Sequence, residues 1–185
     1  MTTATDFASL TGTYTLDVAH SRIGFVARHA MVTKVRGSFN EFAGSATIDG
    51  ADPSKSSATV TLQVASIDTR NEQRDGHLRT NDFLDAEQYP QITFTSTSIA
   101  HKGGNDFEVT GDLTIKDVTR SITFPLEYQG AATDPYGNQR VGFEGSTDIQ
   151  RSDYNVAFNA VLETGGVLVS DKIVLEFELS AIKSA

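Results

Sequence analysis

The chain has 185 residues, no cysteine and a formal net charge of −9. That length suits one domain with an ordinary buried core, and the absence of cysteine excludes disulfides and thiolate metal sites as sources of stability. The acidic balance argues against nucleic acid, and against an anionic membrane surface, as the main partner, because both repel an acidic protein.

Residues 1–10 hold no basic cluster followed by an apolar run, and no later stretch has the length and apolarity of a spanning helix. A cytoplasmic location without an integral membrane segment is the expectation. Residues 18–40 contain no acidic side chain, yet include Arg22, Arg28, Lys34 and Arg36. This is a basic island on an acidic chain, whose plain reading is a solvated surface.

Within the island, Ile23, Phe25 and Ala27 alternate with other residues at period two, the spacing that puts side chains on one face of a strand. His29 follows in the same phase, so its ring is expected to enter the interior. Phe42, Gly44, Ala46 and Ile48 repeat the pattern, as do Val60, Leu62 and Val64. Thr69-Arg70-Asn71-Glu72 then has capping-box form, with Thr at the cap and Glu three residues on. Residues 73–84 lack alternation, which predicts one or two short helical turns near residues 70–85. Tyr89-Pro90 returns the chain to an extended path.

Alternation resumes with Ile92 and Phe94, then with Phe107, Val109, Gly111, Leu113 and Ile115. Ile122, Phe124, Leu126 and Tyr128 follow, then Val141, Phe143, Gly145, Thr147 and Ile149, and finally Ile173, Leu175, Phe177 and Leu179. Turn chemistry separates the segments at Asp49-Gly50, Lys102-Gly103-Gly104-Asn105, Asp134-Pro135-Tyr136-Gly137-Asn138 and Thr164-Gly165-Gly166. The pattern predicts about eight strands, each with one dry face, and one short helix cannot cover that much apolar surface. The sheet must therefore close into a barrel or pack on a second sheet, and closure also removes its edges. Small residues in the inward phase, Ala27, Gly44, Ala46, Gly111 and Gly145, favour a hollow axis over a series of bulges.

Reactive constellations are few. His20, His29, His77 and His101 show neither His-x-His nor His-Glu-x-x-His spacing, so no metal site is expected. Arg74-Asp75-Gly76-His77 gathers an acid, a base and a cation on one segment, but no nucleophile motif accompanies it. A polar clamp holding the helical segment to the barrel rim is the preferred reading. Asp82 and Asp85 read as caps of a short turn, and the Gly-Gly pairs as hairpin turns rather than phosphate loops.

The order of several motifs resembles the YceI-like, polyisoprenoid-binding family. They are Tyr14-Thr15-Leu16-Asp17-Val18-Ala19-His20-Ser21, Val35-Arg36-Gly37-Ser38-Phe39 and Ser66-Ile67-Asp68-Thr69. Arg74-Asp75-Gly76-His77-Leu78, Phe83-Leu84-Asp85, Tyr89-Pro90-Gln91-Ile92-Thr93-Phe94 and Gly111-Asp112-Leu113-Thr114-Ile115 continue the series. The likeness spans residues 11–183, read as one domain. Two departures stand out: Asp117 and Asn155 occupy positions where the family usually has glycine, and both residue types tolerate positive φ.

The resemblance implies an antiparallel, lipocalin-like barrel that binds an isoprenoid quinone, a polyprenyl phosphate or a similar small amphiphilic lipid. Many members are exported, although this sequence shows no such signal. The expected ligand wall is the inward phase: Phe25, Ala27, His29, Phe42, Ala46, Val60, Leu62 and Phe94, with Phe107, Val109, Leu113, Phe124, Leu126, Phe143, Leu175 and Phe177. Head-group candidates are Arg28, Lys34 and Arg36 of the basic island, with Arg70, Arg74, His77 and Arg79 of the helical segment. No cofactor beyond the lipid and no catalytic residue is expected. Two alternatives are an enzyme acting on a lipid head group through Arg74, Asp75 and His77, and a ligand-free stress-response or interaction module. One sequence carries no mark of two-fold symmetry, so homodimerisation is left open.

Overall fold

The computed structural model describes residues 6–160, 162 and 166–184; the expected turn at Thr164-Gly165 lies outside them. The strands run β1 (Gly12–Leu16), β2 (Arg22–His29), β3 (Thr33–Phe39), β4 (Phe42–Ile48), β5 (Ser57–Gln63) and β6 (Ile67–Asp68). After the helix α1 (Glu72–Leu78) come β7 (Gln91–Gly103), β8 (Asp106–Ile115), β9 (Val118–Thr133), β10 (Gln139–Gln150) and β11 (Lys172–Lys183). Pairing is antiparallel throughout, in the order β1-β4-β5-β7-β8-β9-β10-β11, and β11 returns to β1. The chain is thus all-β around one helix, an eight-stranded closed barrel, with β2, β3 and β6 added beside the closure.

Closure works because β11 divides one edge between two partners. Residues 174–178 pair with β2, and residues 181–183 pair with β1. The linker between β1 and β2 stays tied to β11 as it crosses: Asp17 N–H donates to Ser180 O at 2.8 Å, and Ser180 N–H donates to the Ser21 hydroxyl at 2.9 Å. Such cross-links satisfy backbone groups that an open seam would leave unpaired.

Alternation identified eight of these strands but not β1, β3 or β6. In β1 only Tyr14 and Leu16 carry the apolar phase. Gly37 interrupts that phase in β3, between Val35 and Phe39, and β6 has two residues. The glycine is there for contact rather than flexibility, since a β-carbon on Gly37 would lie 2.3 Å from the ring of Phe25, its cross-strand partner. Gly111 is the same device, its missing side chain filled by the ring of Phe94 at 2.4 Å. The inward space at Gly111 is therefore occupied, and a β-carbon on Gly145 would lie 2.6 Å from the carbonyl oxygen of Pro125 on the neighbouring strand; neither contributes to the hollow that the sequence suggested.

The helical segment is as short as expected, but its cap is different. Asn71, not Thr69, accepts the N–H of Arg74, at 3.0 Å. Thr69 donates through both N–H and hydroxyl to buried Asp75, while Arg74 donates to the Thr69 hydroxyl and carbonyl, each at 2.7 Å. Of the two unusual loop residues, Asn155 does adopt positive φ, at 58°. In the β8–β9 turn it is Lys116 that does so, also at 58°, rather than Asp117.

At the far end, Arg140 joins the β1–β2 linker to the β9–β10 turn, donating to Asp17 at 2.6 Å and Asp134 at 2.8 Å. Partial burial pushes the Asp134 carboxyl up, but Arg140, Asn138 and the Tyr136 N–H outweigh it and hold the pKa at about 2. Arg140 and then His20 likewise lower Asp17. Both carboxyls sit below their unfolded value of about 3.9, so they stabilise the fold above that pH and lose the contribution as acid protonates them. Thermal melts are expected to show Tm falling from pH 4 towards pH 2. Arg140→Gln should lower Tm at neutral pH and flatten that acid slope; an unchanged slope would show that the staple contributes nothing.

Candidate functional site

The barrel interior holds two adjoining cavities. The larger, of about 290 Å3, lies towards the helical segment; the smaller, of about 150 Å3, lies towards the N-terminal end. The larger alone approaches the roughly 300–1,000 Å3 usual for small-molecule sites. Ala58, Val60, Ile99, Val109, Leu126 and Leu179 line both, forming a waist where the chambers meet.

Strand phase put most of the expected wall in place. Phe25, Ala27, Leu62, Phe94, Leu113, Phe124, Leu175 and Phe177 line the larger chamber, and Ala46, Phe107 and Phe143 the smaller. Val60, Val109 and Leu126 serve both. Two residues do not conform. Phe42 is buried in the core but outside both chambers. His29 is exposed: β11 pairs with β2 only as far as Val26, and by His29 the strand has run past the wall to bridge Val169.

The ends differ. Phe7 and Leu10, just before β1, close the smaller chamber; the Tyr14 hydroxyl donates to Leu10 O at 2.8 Å, and Phe7 meets the rings of Phe107 and Tyr128 edge-on. Leu78, Phe83 and Leu84 line the larger chamber on the side of the helical segment, with Tyr154, Val156 and Val169 also in its wall.

None of the expected head-group residues enters either chamber. Arg28 pairs with Lys34 and Val26 with Arg36 in the register of β2 and β3. This places the three cations on the face opposite Phe25 and Ala27, which is the outer wall. Arg36 there meets Glu176 at 3.6 Å. Arg74 is committed to Thr69, Arg79 donates to Ala65 O at 3.0 Å, and Arg70 is exposed. His77 contacts Asp82 at 2.8 Å on the surface, edge-on to Phe83 and Phe158. With Asp75 buried beneath Thr69, the Arg74-Asp75-His77 set does not converge on a common point: Arg74 and Asp75 bond to Thr69 and His77 to Asp82, all within the helical segment, so the expected clamp to the barrel rim is not formed by these three. Among the described residues, no group of His, Asp and Glu is arranged to hold a metal ion.

One cation does reach the interior. Arg151, 6% exposed, is the charged side chain in the wall of the larger chamber, where Thr93 and Tyr154 are the other polar side chains. Its guanidinium donates to Ser170 O (2.9 Å), Val156 O (2.6 Å) and Val169 O (3.3 Å). Three of its five N–H groups are thereby used, and among the described residues no carboxylate forms an ion pair with it. Burial lowers its pKa, with Asp171 opposing the shift. Arg151 was not anticipated, although it extends the inward phase of Val141, Phe143, Gly145, Thr147 and Ile149 by one step.

A YceI-like domain model matches residues 14–181. A UPF0312 protein of Staphylococcus aureus strain MSSA476 is 40% identical over 169 residues, covering 91% of this chain and 95% of the relative. Among solved structures, Burkholderia cenocepacia BcnA superposes with a TM-score of 0.79 at 32% identity, covering 89% of this chain and 98% of that one. A polyisoprenoid-binding domain from Saccharophagus degradans gives a TM-score of 0.70 at 19% identity, over 92% and 98% of the two chains, a likeness of fold.

The waist yields a direct test. Ala58→Phe places a ring where the chambers meet, so a long alkyl probe loses the carbons it would seat beyond that point. At about 0.8 kcal/mol per methylene, excluding two carbons weakens binding about tenfold. Fluorescence titration should show that loss for long probes and unchanged binding of short ones; equal binding of both would show that the chambers do not act together.

Proposed function

The chain belongs to the YceI-like family, and from that premise we propose that it binds one isoprenoid-type amphiphile in the barrel and carries or stores it unchanged. The observation that supports this most directly is the apolar bore, built from inward side chains of every strand in the ring. Lining residues run from Ile173 to Ala181 along β11. At about 3.4 Å per residue and a tilt of about 40°, that stretch is roughly 20 Å long on the barrel axis. An extended carbon chain advances about 1.3 Å per bond, so the bore seats roughly 15 backbone carbons, or three to four isoprene units.

Hydrocarbon burial suffices as the driving force. Each five-carbon unit contributes up to about 4 kcal/mol, and micromolar affinity needs about 8 kcal/mol beyond the cost of ordering the chain. The polar head is then assigned to Arg151, the charged side chain in the wall of the larger chamber. A buried guanidinium without a carboxylate partner is costly, and a phosphate or carbonyl oxygen relieves that cost. Transfer of a ligand needs no reactive group, so carriage asks of the wall only that it bury the tail and hold the head.

Native mass spectrometry of freshly purified protein is expected to show a retained lipid, or one-to-one uptake of an added polyprenyl phosphate. Arg151→Gln should weaken the phosphate about 10- to 100-fold, while affinity for the corresponding alcohol changes little. The alcohol controls for folding. Protein that retains no lipid and takes up none would refute the proposal.

A further inference from the structure

The hairpin joining β2 to β3 projects beyond the larger chamber. Ala27, in the chamber wall, is followed by exposed Arg28 and His29, then by the turn. Val32 N–H donates to His29 O at 3.1 Å, and the two central residues, Ala30 and Met31, have φ of 51° and 63°. Positive φ at both positions is the mark of a tight hairpin turn normally made by Asn-Gly. Ala and Met adopt it against steric resistance, so local geometry alone does not account for these residues.

What the turn displays is apolar. Met31 is 63% exposed and Val32 75% exposed. Ala30 N–H bonds to Leu168 O at 2.7 Å, drawing in the neighbouring loop, where Val167 is also exposed. Behind the tip, Arg28 and Lys34 face each other across the hairpin, both exposed on its outer side, and neither forms an ion pair among the described residues. A convex apolar point with cations behind it has the form of a surface that enters the headgroup layer of a bilayer.

We propose that this hairpin tip docks on anionic phospholipid membranes and sets the larger chamber against the bilayer, where an apolar ligand can be exchanged. The proposal rests on the lipid-binding reading above and adds where the ligand is collected. The net charge of −9 does not prevent it. Screening reduces the reach of exposed charges to roughly 8–10 Å at physiological salt, so a bilayer touching the tip responds mainly to Arg28 and Lys34.

Co-sedimentation with phosphatidylcholine vesicles, with and without phosphatidylglycerol, tests the proposal. The wild-type protein is expected to bind the phosphatidylglycerol vesicles, and to release as salt is raised. Arg28→Glu with Lys34→Glu should weaken binding about 30-fold or more, at about 1 kcal/mol per basic residue near the surface. Met31→Ser with Val32→Ser should weaken it about tenfold through lost apolar burial. Uptake of a water-soluble short-chain polyprenyl phosphate, measured without vesicles, should be unchanged in both variants. Wild-type protein that ignores both vesicle types, or variants that bind like wild type, would overturn docking while normal uptake leaves the lipid-binding reading intact. Failed uptake with intact vesicle binding does the reverse. A dimer in vesicle-free solution that Met31→Ser with Val32→Ser dissolves would assign the tip to a second copy of the chain and also overturn docking.

Discussion

The structure depends on how β11 is held. One edge pairs along its length with β10, and the other is shared between β1 and β2. Without that division the ring would have a seam, with unpaired N–H and C=O groups open to water or to another strand. Because the ring closes, every inward side chain on its strands must find neighbours across the axis or leave space. The identities of those side chains decide between a plugged core and a bore.

Two classes of small residue make that decision in opposite ways. Gly37 and Gly111 lie beneath the rings of Phe25 and Phe94, so their missing side chains tighten the wall. Ala27, Ala46 and Ala58 border the chambers and leave them open. A sequence shows a small residue in the inward phase in both cases. Which class it joins depends on whether an aromatic ring on an adjacent strand leans over it, and that is set by register between strands distant in the chain.

The fold was largely legible because period two is a local signal, and long strands such as β9 and β10 carry it many times over. It failed where the count of apolar positions was too low, as in β1, or where glycine stood in for a packed side chain, as in β3. The chamber wall was legible for the same reason as the strands. His29 misled because phase continues along a strand after the wall has ended. The cations of the basic island misled in a different way: Arg28 is one residue from Ala27 and so belongs to the other face, a fact their proximity in sequence obscures. Arg151 could have been found by extending the phase of β10 past Ile149. That the chain there turns inward, to meet carbonyls from residues 156 and 169–170, is tertiary information.

Phe7 and Leu10 shut one end of the bore from outside the ring. A tube stoppered in this way is a cul-de-sac: on the proposed function, a lipid goes in tail foremost by the other end and must back out along the same route. Occupants cannot queue or push one another through, so each exchange begins with an empty vessel. Loading a new lipid, on that reading, waits for the previous one to leave.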